Sequence, residues 1–137
     1  MNLLFRPLAA LGTAALLLGA CSGPETYQGQ IIRGGDEVQV AVRSWVAGVD
    51  VEDVLGRLKS GRASAQFRLV NNTGDPLRLR CTFEWRDEDG FLLRQAVSSR
   101  SETLIVLRPD QSRILAYTAP TEGAVQFLAR IRNAAHE

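Results

Sequence analysis

Histidine is nearly absent: the only one, His136, stands one residue from the C-terminus, where chains fray. A Ser-His-Asp or Cys-His arrangement needs an imidazole held in place, and a His-rich zinc site needs several, so both are excluded. Cysteine is almost as scarce, at two in 137 residues, and a chain of this size buries a core without disulfides. Neither charge sign dominates. Sixteen basic and fifteen acidic residues give a formal net charge of +1, whereas a nucleic-acid binder normally carries a clear basic surplus. No apolar run reaches the roughly 20 residues needed to cross a bilayer as a helix. Gly34-Gly35 is followed by Asp36 and Glu37 rather than Lys-Ser/Thr, so it is no phosphate cradle. What remains, at 45% hydrophobic and 23% charged residues, is the composition of an ordinary globular protein.

The N-terminus carries an address. Arg6 and the terminal amine supply positive charge, Leu8 to Leu18 are almost wholly apolar, and small residues precede a cysteine. This is the layout of a secretory signal. A plain signal peptide would end at Ala20 and leave Cys21 as an incidental thiol. However, Leu18-Gly19-Ala20-Cys21 resembles the lipobox of bacterial lipoproteins. That resemblance implies a diacylglycerol on the Cys21 sulfur, cleavage before Cys21, and acylation of the new amino terminus. A thiol suits the first step as the strongest nucleophile available. Two acyl chains already anchor stably, so three make release negligible. By resemblance to Gram-negative sorting patterns, Ser22 rather than Asp after the cysteine favours the outer membrane. The expected organisation is a signal peptide over 1–20, a lipidated N-terminus and linker over 21–37, and one domain over 38–137. A linker of about 16 residues spans roughly 22 Å as a relaxed coil, which keeps the domain close to its membrane.

Beyond residue 37 the dominant period is two. Leu77, Leu79, Cys81, Phe83 and Trp85 alternate with Arg78, Arg80, Thr82, Glu84 and Arg86, as a half-buried strand requires. Ala63–Leu69 and Val125–Ile131 alternate in the same way, with shorter candidates at Val38–Trp45, Val49–Leu58, Phe91–Val97, Thr103–Leu107 and Arg113–Tyr117. Turn signals separate them at Ser60-Gly61, Asn71–Pro76, Asp89-Gly90, Arg108–Asp110 and Pro120–Gly123. The pattern predicts an all-β, immunoglobulin-like antiparallel β-sandwich of about seven or eight strands. Residues 51–58 also fit a helical turn, but a strand with a bulge near Gly56 is the preferred reading.

Asn71-Asn72-Thr73-Gly74-Asp75-Pro76, the run Phe83-x-Trp85-x-Asp87-x-x-Gly90, Leu107-Arg108-Pro109 and Ala119-Pro120 form a series. Over residues 45–132, together with the lipobox, it resembles the YcfL-like family of small periplasmic lipoproteins with a domain of unknown function. The resemblance implies a β-sandwich lipoprotein of the Gram-negative envelope with a wall-related role, and it brings no catalytic residues with it.

Three groups of side chains are candidates for chemistry. Asp87-Glu88-Asp89-Gly90 echoes the start of a calcium loop but lacks its remaining ligands, so a hairpin turn is expected and no metal site. Cys81 falls on the apolar side of its strand and is expected as a buried, inert thiol. Arginine is the third: fifteen of the sixteen basic residues are Arg. Arg68, Arg78, Arg80, Arg86, Arg130 and Arg132 project from predicted solvent faces. If their strands adjoin, they form a guanidinium-rich surface for carboxylate or phosphate. The competing reading is cross-strand pairing with Glu84, Glu102 and other acids on a merely soluble face. The expected function is therefore non-catalytic: an outer-membrane lipoprotein, facing the periplasm, that serves as an accessory or scaffold for an envelope protein partner. The alternative is a binding module for anionic lipid or glycan. Neither needs a cofactor beyond the lipid at Cys21.

Overall fold

Where apolar and polar residues alternate, a strand buries one side and wets the other, and most of the nine strands among the described residues form in this way. The computed structural model describes residues 29–93 and 102–134. They comprise β1 (Gln30–Gly34), β2 (Gln39–Ser44), β3 (Val49–Lys59), β4 (Arg62–Asn71), β5 (Leu77–Asp87), β6 (Leu92–Leu93), β7 (Glu102–Leu107), β8 (Ser112–Thr118) and β9 (Ala124–Asn133). The larger sheet runs β1-β2-β9-β5, and the far edge of β5 pairs with β7 along one half and with β6 near its end. The smaller sheet is β3-β4-β8. The all-β sandwich expected from the alternation is the fold observed.

Three details differ from expectation. Residues 30–34, read as part of the linker, form β1, which pairs with β2 from Gln30 opposite Ser44 to Gly34 opposite Val40. The segment is short and only Ile31 and Ile32 interrupt its polarity, so it offers no period of its own and gains strand structure from its partner. The domain thus starts by Gln30. Second, β2 and β9 pair in parallel, Gln39 with Gln126 through Ser44 with Ile131, so the larger sheet is not wholly antiparallel. Third, β3 is a strand rather than a helical turn, but its bulge lies between Glu52 and Leu55, where Asp53 takes φ 51°. Gly56 instead gives close approach: a Cβ there would collide with the Val38 carbonyl where the β1–β2 turn crosses β3. The strand expected at Phe91–Val97 is seen only as Leu92–Leu93, and residues 94–97 lie outside the described residues.

The core is built around rings. Phe83 and Trp85 on β5 and Phe127 on β9 face Phe67 on β4 and Tyr117 on β8. Phe127 touches all four others, with centroid distances of 4.7 Å to Trp85, 5.4 Å to Tyr117, 5.9 Å to Phe83 and 6.4 Å to Phe67. Val40, Val42, Leu69, Leu79, Ile105, Leu107 and Ile131 close the space around them. Offset and tilted rings at these separations add to the burial of their area.

The Asn71–Pro76 turn has a specific cause. Asn71 is fully buried, and the two N–H bonds of its side-chain amide reach the carbonyls of Asp75 (2.8 Å), Arg108 (3.1 Å) and Leu107 (3.2 Å), one of them shared between two carbonyls. Its Oδ1 accepts from the Thr73 backbone N–H (2.9 Å) and hydroxyl (2.6 Å). One residue thereby ties the β4–β5 turn to the β7–β8 turn, and its own buried amide is fully paired. Asn71→Ala is expected to cost about 2 kcal/mol, read as a lowered urea midpoint at unchanged slope, because the two turns lose the buried amide that joins them.

Cys81 is fully buried on β5, with the Tyr117 hydroxyl 3.6 Å from its sulfur and 3.2 Å from Thr103 Oγ1. Burial pushes the thiol up from 9.0 to about 11, partly offset by the tyrosine hydrogen bond, and burial likewise raises Tyr117. The neutral thiol is the form the fold favours. Its contribution is complete below pH 9 and disappears as pH rises through 11. Thiol reagents should leave Cys81 unlabelled in the folded protein near pH 8 and label it on unfolding. The fall in stability above pH 9 should be shallower in Cys81→Ala, as unfolding titrations at several pH values would show.

Candidate functional site

The outward side chains of the larger sheet form rows across its strands, and the pairing registers say which meet. Ile31 on β1, Arg43 on β2, Arg130 on β9, Thr82 on β5 and Glu102 on β7 make one row. The next holds Arg33, Ala41, Leu128 and Glu84, and the next Gln39, Gln126 and Arg86. Ala41 is short, so the face dips between the longer side chains around it. The result is an open groove of about 780 Å³, floored by Ala41 and Leu128 and walled by Ile31, Arg33, Arg43, Arg86, Arg130 and Glu84.

Four arginines and one carboxylate line the groove, and two of the arginines contact the carboxylate. Glu84 Oε1 lies 3.2 Å from Arg86 Nη2 and 3.4 Å from Arg130 Nη2, and its side chain is only 18% exposed. Arg86 Nη1 also donates to the Gly90 carbonyl at 3.1 Å. Arg33 and Arg43 have no carboxylate within 4.0 Å among the described residues. The Arg43 guanidinium instead lies 4.3 Å from the centre of the Trp45 ring, and that of Arg132 lies 4.6 Å from the same ring. Partly exposed pairs such as Arg86–Glu84 contribute little to stability, at most about 1 kcal/mol each. Their consequence is positional: Glu84 holds two guanidinium planes in place while the groove keeps a cationic surplus able to accept carboxylate or phosphate in bidentate fashion.

The six arginines singled out in the sequence divide into three groups. Arg86 and Arg130 line the groove. Arg78, Arg80 and Arg132 share its sheet but lie beyond it: Arg80 Nε is 2.8 Å from Glu102 Oε1, and Arg78 edges a hollow of about 120 Å³ beside Leu104 and Val106. The Arg80–Glu102 contact is an ion pair by distance without hydrogen-bond alignment. Arg68 does not belong. It sits on β4 in the smaller sheet, and its Nη1 pairs with Asp53 Oδ2 at 3.1 Å across the β3 bulge. An alternating strand shows only that a side chain points outward, and a sandwich has two outward faces. The pairing reading therefore describes Arg68, Arg80, Arg86 and Arg130, whereas Arg33, Arg43, Arg78 and Arg132 have no acidic partner among the described residues.

Arg33, Arg43 and Trp45 were missed. Arg33 fell within the supposed linker. Arg43 did carry a signal, since it alternates with Val40 and Val42 on the wet side of β2.

The acidic turn uses its carboxylate locally. Asp87 Oδ1 accepts from the N–H groups of Asp89 (3.0 Å) and Phe91 (2.9 Å), and Gly90 takes φ 82°. This is the hairpin turn expected. Leu18, Gly19, Ala20, Cys21 and His136 lie outside the described residues.

Comparison with known proteins places the fold. A family model described as "Protein of unknown function (DUF1425)" matches residues 36–133. The chain is similar to the solved structure of a DUF1425 family member from Shewanella sp. pv-4, at TM-score 0.56 and 19% identity, over 78% of this chain and 92% of that one. It is also similar to cj0090 of Campylobacter jejuni, at TM-score 0.50 and 22% identity, over 61% of this chain and 85% of that one. At such identities the likeness is one of fold. No curated protein matches.

The two outer groove arginines, Arg33 and Arg43, set a simple expectation. Arg43→Glu places a carboxylate opposite Arg130 and should reduce retention on an anionic resin at low salt, while Ile114→Glu on the smaller sheet should reduce it less.

Proposed function

The chain belongs to the DUF1425 family, and on that premise we propose that it is a non-catalytic lipoprotein of the YcfL-like kind. In this reading it is held by acyl chains on Cys21 at the periplasmic face of the outer membrane of a Gram-negative bacterium. It acts there as an accessory or scaffold protein in envelope biogenesis, within reach of peptidoglycan synthesis. One observation carries the binding role: four arginines and a single glutamate line a groove whose edge is β1. That strand follows Cys21 by nine positions in the sequence, so the groove edge is tethered closely to the proposed anchor.

The groove suits an acidic segment of a protein partner. Carboxylates can bridge Arg33 and Arg43, and the apolar floor of Ala41 and Leu128 receives a hydrophobic residue between them. Charge complementarity of this type mainly sets encounter rate and register, while the apolar floor sets residence time. A second reading, a binding module for anionic lipid or glycan, uses the same guanidinium groups without the floor.

The anchor is tested by labelled palmitate. Wild type should incorporate it and sediment with outer membranes, and Cys21→Ala should incorporate none. Label retained in that variant removes the anchor from the account. The partner is tested by photo-crosslinking in cells from a reactive residue at position 128, on the groove floor, or at position 114, on the far sheet. A protein adduct is expected from 128 and not from 114. Equal adducts at both positions would exclude the groove as the binding surface. An adduct that survives high salt during purification favours the scaffold, and salt-sensitive retention of lipid or glycan alone favours the second reading.

A further inference from the structure

The outward face of the larger sheet does not end at the groove. One row beyond Arg43 and Arg130 lie Trp45, Arg132, Arg80 and Leu104, following the same registers. Trp45 extends the parallel ladder, its N–H donating to the Ile131 carbonyl at 3.0 Å, so its ring projects where the sheet meets its end. Two guanidinium groups lie over that ring, and neither Arg43 nor Arg132 has a carboxylate partner among the described residues.

The chain enters the domain at this point. Gln30 pairs with Ser44, and a Cβ on Gly29 would come 3.0 Å from Trp45 Cδ1 and Nε1, so Gly29 rests against the indole. Seven residues separate Cys21 from Gly29, a span of eight Cα–Cα steps. That length reaches ~15 Å as a relaxed coil and ~28 Å when stretched. The indole and its two arginines are therefore confined to the immediate neighbourhood of any lipid on Cys21.

We infer that the Trp45–Arg43–Arg132 cluster docks the domain onto the phosphate headgroups of the membrane that anchors it. The inference rests on the lipid anchor proposed above and adds to it a second, non-covalent contact. An indole is suited to the headgroup level of a bilayer, where one end of the ring is apolar and the other wet. The guanidinium groups stacked on it present their edges to phosphate in bidentate geometry. A contact too weak to recruit a free protein is sufficient here, because a short tether raises the local concentration of headgroups to the millimolar range or above. The loops at this end carry Asp75 and Asp110, and Asp50 opens β3 beside them, so the sheet face makes the contact rather than the loop tips. Asp50 is itself engaged by the Asn72 side chain. The groove shares Arg43 with this cluster and keeps Arg33, Arg86 and Arg130 for a partner.

The test uses lipidated mature protein in vesicles of phosphatidylethanolamine and phosphatidylglycerol that contain a headgroup spin-labelled lipid. Trp45 should be quenched, and the quenching should be absent from Trp45→Phe because Trp85, at 1% exposure, is shielded in the core. Arg43→Glu/Arg132→Glu should float with the vesicles like wild type, unfold at a similar temperature, and lose at least about half of the quenching. Raising salt should relieve the quenching of wild type in the same way without changing flotation, a measurement that does not depend on the variant's folding. Wild type that floats unquenched, or quenching that ignores both salt and the double substitution, overturns the docking and leaves the anchor standing. Wild type that fails to float overturns the anchor and the docking with it.

Discussion

Phe127 is the residue on which the sandwich closes. It stands on β9, the strand that joins β2 to β5, and its ring meets Phe83 and Trp85 of its own sheet and Phe67 and Tyr117 of the other. Two sheets of a sandwich share no ladder hydrogen bonds through their packed faces, so the burial of side chains between them is what holds them together. Because the side chains of a strand alternate, the same constraint that points Phe127 inward points Gln126, Leu128 and Arg130 outward. The groove is thus a product of the core: each guanidinium on its wall is the neighbour in sequence of a residue that the interior requires.

The buried polar groups divide the structure differently. Asn71 satisfies carbonyls of two separate turns, and Asp87 satisfies the N–H groups of its own hairpin. The Asn71 contacts fasten together two turns at the end of the sandwich that also carries Trp45, and the Asp87 contacts close the hairpin at the opposite end of β5. Glu84 performs the corresponding task in the groove, where one carboxylate oxygen orients two arginines. In each case a single acceptor or amide organises several groups, and the surplus cations are left at Arg33, Arg43, Arg78 and Arg132.

Much of this was legible residue by residue. The inward sets of β4 and β5 follow the alternation almost without exception, with Ala63, Ala65, Phe67, Leu69, Leu79, Cys81 and Trp85 all buried. Cys81 could be placed in the core because its neighbours at i−2 and i+2 are apolar. The pairing of Arg80 with Glu102 and of Arg86 and Arg130 with Glu84 was open to inference as a class of contact. The partners themselves depended on register. β1 was illegible for a different reason: its five residues carry too little apolar surface to form a strand alone, and only the edge of β2 makes one of them. Arg33 was lost with it.

Local order in the amino-acid sequence by itself determined which residues face inward, where the chain turns, and that Leu18–Cys21 resembles a lipobox, since each depends on neighbours within a few positions. It could not determine which strands lie side by side. Ladders between β2 and β9, or between β5 and β7, join residues far apart along the chain, and loop closure carries no signature in the residues it unites. For that reason Arg68 and Arg130, equally outward by alternation, end on opposite sheets, and only the tertiary arrangement assembled Arg33, Arg43, Arg86 and Arg130 into one groove.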